Sequence, residues 1–419
     1  MPRINILPLS LRNKIAAGEV VERPASVIKE LVENSIDAGS TRIEIDAASA
    51  GKKLIRVSDN GLGMERDDAL LAFERYATSK IRNESDLFNL NTMGFRGEAL
   101  SSIASVSRMK LTTAYQAGEH SSAAVGTCVE IAGGEIKEAR DCSATGTSIE
   151  VKELFFNTPA RRKFLKSDAT ESYHIIDTVT REALSHYHIG FVLRMDGDDV
   201  LNLPAASSQR ERLLQIYGKD FVDGLLETES ENGQMGIRAY VSKVTMLRNN
   251  RNNQFLFLNR RPVKDQSVTY AVYKAYESLI PKDRHPLFFI FLKIDASRVD
   301  FNVHPAKREV RFEDKSSVFN FVQKAVKGAL RQDKGFMMKE ADFRESGLQR
   351  PCEMAQGGAG LSYAAIAPDI RVSGNLVSEK LEQFYSGSTP FLYLGDTLVA
   401  VAGSGGLTII DYHAAHERI

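Results

Sequence analysis

After Pro24 the apolar residues Val27, Ile28, Leu31, Val32 and Ile36 recur at helical spacing, the period of a helix with one buried face. Pro24 suits the first turn of that helix, where a missing N–H costs nothing. The period then changes. Leu54 to Ser58 reads as a short strand, broken by Asp59, Asn60 and Gly61. Cys128 to Ile131, the pair Gly133 and Gly134, then Glu135 to Lys137 predict a hairpin, and Ser148 to Val151 a further strand. From Leu9 to about Ala205 helical and strand patterns alternate, and neighbouring strands look hairpin-connected. That argues for a sheet covered by helices on one face rather than a doubly wound parallel sheet.

A second unit is read from about Gln209 to Gln332. Phe255 to Leu258 and Phe288 to Ile294 are strongly apolar strands. Val299, Phe301 and Val303 alternate with Asp300, Asn302 and His304, as in a half-buried strand. Val318, Phe319, Phe321, Val322, Ala325, Val326 and Leu330 suit a closing helix. No period persists from about Asp333 to Ser386, where Gly, Ser, Pro and Ala are frequent; this reads as a linker. Strand patterns resume at Phe391 to Leu394 and Leu407 to Ile410, and the sequence stops at Ile419 in mid-pattern. The expected division is 1–207, 208–335, a linker 336–386 and the start of a third domain 387–419, a mixed α/β chain throughout.

Composition narrows the function. Lys plus Arg and Asp plus Glu both number 54, so contact with nucleic acid would have to come from local patches. Cys128, Cys142 and Cys352 match no metal spacing and no disulfide framework, which points to a reducing compartment. A signal peptide and a membrane span are not expected.

Several polar groupings carry candidate chemistry. Glu30 and Asn34 are four apart and share a helical face. A carboxylate beside a carboxamide suits a base that takes a proton from water and an oxygen ligand for magnesium. Taken alone, the pair reads better as an exposed polar edge; Glu33 and Asp37, on a nearby face, are expected to be solvated. Asp59 ends a strand and could accept from the exocyclic amine of adenine, with glycines beside it that let a flat base approach. Alone, Asp-Asn-Gly is more often a turn. Gly94 to Leu100 (Gly94, Phe95, Arg96, Gly97, Glu98, Ala99, Leu100) places two glycines before a helical pattern through Ile103, Ala104 and Val106, an arrangement that offers backbone N–H groups to phosphate. No P-loop sequence is present.

In this order and spacing, these groupings resemble the GHKL ATPases, and the likeness is closest to the MutL family of DNA mismatch-repair factors. It is carried by Ile15 to Gly39, Ala77 to Lys80, Gly94 to Leu100, Phe156 to Phe164 and Asn302 to Lys307, and covers about residues 1 to 335. The resemblance implies a Bergerat-type ATPase sandwich followed by an α/β domain like that of ribosomal protein S5, then a linker and a C-terminal dimerisation domain. It implies ATP and Mg2+ as ligands, Glu30 as general base and Asn34 as the magnesium ligand. Asp59 would accept from adenine, with Gly63 beside the base and Thr147 supporting it. Thr78, Ser79 and Lys80 would sit in a mobile lid, Gly94 to Leu100 would supply phosphate-facing amides, and Lys307 would reach the γ-phosphate from the second domain.

The resemblance further implies a switch. ATP closes a homodimer of N-terminal domains, slow hydrolysis reopens it, and the cycle couples a MutS-type mismatch sensor to a downstream nuclease or helicase. A matchmaker in which hydrolysis is incidental is the alternative. The cytoplasm is the expected location if the chain is bacterial. Two basic clusters, Arg161, Arg162, Lys163 and Lys166, then Arg260, Arg261 and Lys264, are candidates for touching single-stranded or mismatched DNA through phosphates, without reading sequence. Asp411, His413 and Glu417 resemble the start of the metal-binding signature of nicking MutL proteins, but Tyr412 stands where that family has Gln. DNA cleavage by this chain is therefore not expected.

Overall fold

The structure, a computed structural model, describes residues 8, 17–18, 20–81, 92–94, 97–115, 125–277, 279–281, 283–300, 310–333, 391–393, 398–403 and 406–411. Phe95, Arg96, Lys307, Tyr412, His413, Glu417 and the expected linker lie outside the described residues. The chain divides into residues 1–349 and 350–419.

In the first unit, the first sheet contains β1 (Arg42–Ala48), β2 (Leu54–Asp59), β3 (Arg108–Ala114), β4 (Val125–Ala132), β5 (Glu135–Ser143), β6 (Gly146–Lys152), β7 (Gly190–Met195) and β8 (Asp198–Leu203). Their spatial order is β5-β4-β3-β6-β2-β1-β7-β8. Every pairing is antiparallel except β1 with β7. That parallel pair needs a crossover, and the long segment between the two strands supplies it. Edge strand β5 is almost wholly exposed and lined with Glu135, Lys137, Glu138, Arg140 and Asp141, charges that discourage pairing with another chain.

The predicted helix after Pro24 is α1 (Pro24–Asp37), with the proline in its first turn. Val27, Ile28, Leu31 and Val32 bury with Ile43 and Ile45 of β1 and Ile55 and Val57 of β2. The alternating burial of β1 and β2 turns one side of each strand to this core, as a period of two requires. Short helices α2 (Arg66–Leu71), α3 (Ala99–Ser105) and α4 (Pro159–Phe164) follow. Then α5 (Asp168–Ser185), capped by the Ser167 hydroxyl on the Thr170 amide, packs along α1.

Beyond α6 (Gln209–Tyr217) and α7 (Lys219–Asp223) lies the second sheet. It comprises β9 (Leu225–Glu231), β10 (Met235–Ser242), β11 (Gln254–Leu258), β12 (Arg261–Val263) and β13 (Phe288–Ile294), ordered β12-β11-β13-β10-β9. The continuous apolar runs of β11 and β13 have a physical reason: both faces of the strands are covered. Leu256, Leu258, Ile290 and Leu292 face α8 (Gln266–Tyr276) and α9 (Lys315–Gln332). Phe255, Phe257 and Phe289 face the other way, toward Tyr217, Phe221 and Leu184 at the end of α5. The ribbon of β14 (Val299–Asp300) and β15 (Arg311–Phe312) flanks residues 301–309, so only the first residues of the expected half-buried strand are described. In residues 350–419, β16 (Phe391–Tyr393), β17 (Leu398–Gly403) and β18 (Gly406–Asp411) form an antiparallel sheet.

Candidate active site

The polar face of α1 carries the site. Glu30 and Asn34 lie on it one turn apart, as their spacing predicts. The Glu30 side chain is 20% exposed, and its Oε1 accepts from Lys29 Nζ at 3.2 Å. Asn34 Oδ1 accepts from Lys80 Nζ at 2.8 Å. The same ammonium lies 2.5 Å from Asp37 Oδ2.

Asp37 is not solvated as the sequence suggested. Its side chain is 6% exposed, and it also accepts from the Met93 amide at 2.7 Å and the Gly94 amide at 3.1 Å. Glu33 is likewise buried, at 4%. Asp37 departs from the expectation because Lys80 and the Met93 and Gly94 amides fold onto it. Glu33 pairs with Lys29 of its own helix at 2.6 Å, on the side where α5 packs along α1.

Asp59 closes β2 behind the same helix. Its Oδ2 accepts from Ser35 Oγ at 2.7 Å, and its Oδ1 from the Gly61 amide at 2.9 Å. Burial raises its pKa above the usual aspartate value, opposed by the Ser35 hydroxyl and the Gly61 amide, which favour the ionised form. Thr147 lies opposite Asp59 in the β2–β6 ladder. Its hydroxyl is 3.0 Å from that of Thr113, which also accepts from the Met64 amide at 3.0 Å. Gly63 has φ +70°, and a Cβ there would collide with the Ala114 carbonyl. The loop can lie this close to the end of β3 only because the residue is glycine.

Thr78 Oγ1 accepts from the Lys80 amide at 3.2 Å, with Ser79 between them in a bend. Gly97 has φ +62° and packs on the Ala77 backbone, and its carbonyl accepts from the Tyr76 amide at 3.0 Å. Glu98 pairs with Arg75 at 3.3 Å and precedes Ala99 and Leu100, which open α3. Gly94 and Lys80 therefore meet the polar face of α1. Gly97 ties the glycine loop back to Tyr76 and Ala77.

The basic clusters behave differently from one another. In α4, Arg162 and Lys163 are exposed, whereas Arg161 is half-buried with its guanidinium against Gly18. Lys166 is exposed. In the second cluster, Asn259 (φ 49°) and Arg260 (φ 68°) form the tight turn between β11 and β12, the left-handed pair that a two-residue hairpin favours. The Asn259 side chain locks this turn to Ile294 through a pair of hydrogen bonds. Arg260 thus sits exposed at the tip with Lys264 nearby, while Arg261 turns inward. Arg261 is 6% exposed and donates to the Thr92 carbonyl, just before the glycine loop. Reading Arg261 as part of an exposed DNA-facing patch is therefore corrected: it joins the second sheet to the segment just before the glycine loop.

Sequence reasoning missed Ser35, Asp37, Thr113 and Lys29 as parts of this site. Ser35 and Asp37 lie within the α1 motif and were within reach of it. Thr113 gave no signal, because only strand pairing brings it to Thr147. As for a metal, no group of three or more His, Cys, Asp or Glu suited to an ion is found among the described residues. The fit for magnesium rests on Asn34, whose carboxamide oxygen already holds a cation in the form of the Lys80 ammonium. A single protein oxygen, completed by water and phosphate oxygens, is a usual magnesium donor set.

Residues 22–141 match the family described as "Histidine kinase-, DNA gyrase B-, and HSP90-like ATPase". Residues 213–331 match that described as "DNA mismatch repair protein, C-terminal domain". The chain is 39% identical over 419 residues to the DNA mismatch repair protein MutL of Thermodesulfovibrio yellowstonii, an alignment covering 100% of the chain and 72% of the relative. It is 40% identical over 445 residues to the MutL of Geotalea daltonii, covering 100% and 73%. Among solved structures, the Aquifex aeolicus MutL ATPase domain complexed with ADP superposes with a TM-score of 0.50 at 29% identity, covering 66% of this chain and 93% of that one. The N-terminal domain of a DNA repair protein superposes with a TM-score of 0.65 at 24% identity, covering 79% and 99%, a likeness of fold.

Proposed function

Because the chain belongs to the MutL family of DNA mismatch repair proteins, we propose that it is an ATP-hydrolysing switch whose chemistry is centred on α1. The observation that carries this reading is convergence. Glu30, Asn34 and, through Ser35, Asp59 are gathered by one helix, and the lid lysine and the glycine loop close on the same face.

In this reading Asp59 accepts from the adenine amine, with Gly63 giving the base room and Thr147 bracing the strand end. Lys80 and the amides around Gly94 hold phosphate, together with Thr78, Ser79 and the loop through Leu100. Glu30 takes a proton from water. The water oxygen bonds to the γ-phosphorus, and ADP leaves with the electron pair of the broken P–O bond. Magnesium, held by Asn34, would neutralise phosphate charge. Asn34→Ala is expected to weaken magnesium–ATP binding, read by calorimetry with and without the metal; equal affinities would count against the assignment. Lys307 would report the γ-phosphate to the second domain.

ATP binding would close a homodimer of N-terminal domains and hydrolysis would release it, an order–disorder switch driven by phosphate contacts. MutS-type sensors and downstream nucleases or helicases are the proposed partners, in the cytoplasm. No helix among the described residues is long and apolar enough to cross a membrane. DNA would lie along exposed phosphate-binding side chains, Arg162, Lys163 and Lys166 on one surface and Arg260 and Lys264 on another. Alanine at Arg260 and Lys264 together should weaken DNA binding and flatten its salt dependence, by about 0.9 in slope per lost duplex phosphate contact and about 0.7 on single strands. An unchanged slope would remove that surface from the interface.

The deciding experiment is steady-state ATPase with and without magnesium and single-stranded DNA. Slow, magnesium-dependent turnover that DNA stimulates is expected. ATP binding without turnover would instead favour a matchmaker.

A further inference from the structure

Phe164, the last residue of α4, is 81% exposed, the most exposed large hydrophobic side chain among the described residues. A single exposed apolar side chain needs no explanation by itself. What singles this one out is its surroundings. Arg162 and Lys163 precede it, Lys166 follows two residues on, and all three are exposed. Residues 158–166 contain no carboxylate. The first one beyond them, Asp168, is held by Lys52 at 2.7 Å.

The packing around the ring holds it outward. Phe155, before the helix, is fully buried, and Leu165, directly after Phe164, packs on the core of the first sheet. Arg161 turns inward with its guanidinium against Gly18. The exit from the helix is tied down as well. The Lys166 amide donates to Glu171 Oε1 at 2.9 Å, and Lys52 Nζ donates to the Lys166 carbonyl at 2.7 Å. Neighbours on both sides thus fix the backbone, and the inward place on this turn belongs to Leu165. A ring held on a fixed backbone loses little further freedom when something binds to it. Exposed cations fit a chain of phosphates, and a ring among them fits a flat base between those phosphates. In a duplex the bases already stack on one another, so the ring can take only an unpaired base. A second copy docking through the same helix would bring two basic runs together, which like charge opposes.

We propose that Phe164 stacks on an unpaired base of single-stranded DNA whose phosphates lie on Arg162, Lys163 and Lys166, so that α4 prefers single strands to duplex. The proposal rests on the reading of this helix as a DNA-contacting surface, and adds to it a base contact and a strand preference. Every base has a flat face, so the contact tolerates any sequence.

The test measures binding of the full chain to an oligothymidylate, to a duplex of the same length, and to an abasic oligomer that keeps the phosphates without the bases. Phe164→Ala should lose ~5–150-fold in affinity for the oligothymidylate, the effect of one lost base stack. Its duplex and abasic binding should stay parental, and so should its single-strand salt dependence, because the ring carries no charge. Arg162→Ala/Lys163→Ala should instead weaken binding to all of them and lower the single-strand slope by about 0.7 per lost contact. The chain has no tryptophan, so Phe164→Trp supplies a lone fluorophore. It should keep the affinity, with emission quenched by the oligothymidylate and not by the abasic oligomer. Parental affinity of Phe164→Ala for the oligothymidylate, with Arg162→Ala/Lys163→Ala weakened, overturns the stacking and leaves the phosphate contacts standing. Parental binding in both variants removes α4 from the DNA interface, and the reading beneath falls with the proposal. If Phe164→Ala does not fold, Phe164→Trp decides: emission unchanged at saturation with the oligothymidylate sinks the proposal. Self-association lost in Phe164→Ala by sedimentation without DNA, with oligothymidylate binding intact, assigns the ring to a second copy and overturns it too.

Discussion

Glu30→Ala is expected to bind ATP as the parent does and to hydrolyse it ~10²–10⁴-fold more slowly, the range that general-base catalysis contributes. The geometry makes the two effects separable. Glu30 stands at the partly exposed edge of α1, bonded to Lys29 and away from the side chains that hold Asp59. Asn34 accepts from Lys80 and Asp37 from the Gly94 amide, contacts in which the Glu30 side chain takes no part. Affinity should therefore survive while the proton acceptor is lost, and a complex that cannot hydrolyse should accumulate in the closed dimer. The measurements are single-turnover hydrolysis, equilibrium binding of ATP and sedimentation of the ATP-bound protein. Turnover at the parental rate would show that the base lies elsewhere. Lost binding with intact folding would mean that Glu30 contacts the nucleotide rather than the water.

The sequence carried this site unevenly. The periodicity after Pro24 placed α1, and four-residue spacing put Glu30 and Asn34 on one face. Composition and spacing did not assign their roles; the resemblance did. What stayed hidden was what only tertiary contacts decide. Glu33 and Asp37 look solvated in a helix read by itself, yet the packing of α5 along α1 covers the first, and Lys80 with the Met93 and Gly94 amides covers the second. Arg260 and Arg261 look alike in sequence, but the left-handed turn at Asn259 and Arg260 sends the first outward and the second inward to the Thr92 carbonyl. The apolar runs of β11 and β13 were plain, whereas their division into two faces, one toward α8 and α9 and one toward α5 and α6, depends on the strand pairing.

Asp59→Asn should separate recognition from stability. In the parent, a carboxylate would take the exocyclic amine of adenine, and hydrogen bonds to charged groups contribute about 1.5–3 kcal/mol. An asparagine whose amide nitrogen faces that amine forfeits this, so ATP affinity should fall ~10–150-fold. The parent should also prefer ATP to inosine triphosphate, whose base presents a carbonyl in place of the amine; Asp59→Asn should lose most of that preference. Stability should move the other way. Burial raises the pKa of Asp59, so the folded protein binds that proton more tightly than the unfolded chain does. The stability this gives is fully present below the ordinary aspartate range and is lost as pH rises through the raised pKa. At neutral pH the ionised Asp59 is therefore a cost that the neutral isostere avoids. Asp59→Asn should melt no lower than the parent at pH 7, and any advantage should vanish as pH falls into the ordinary carboxylate range. Unchanged affinity for ATP, with both triphosphates still discriminated, would place adenine recognition on another group. A large fall in melting temperature at pH 7 would instead mean that the bonds from Ser35 and Gly61 stabilise the fold more than burying the charge costs it.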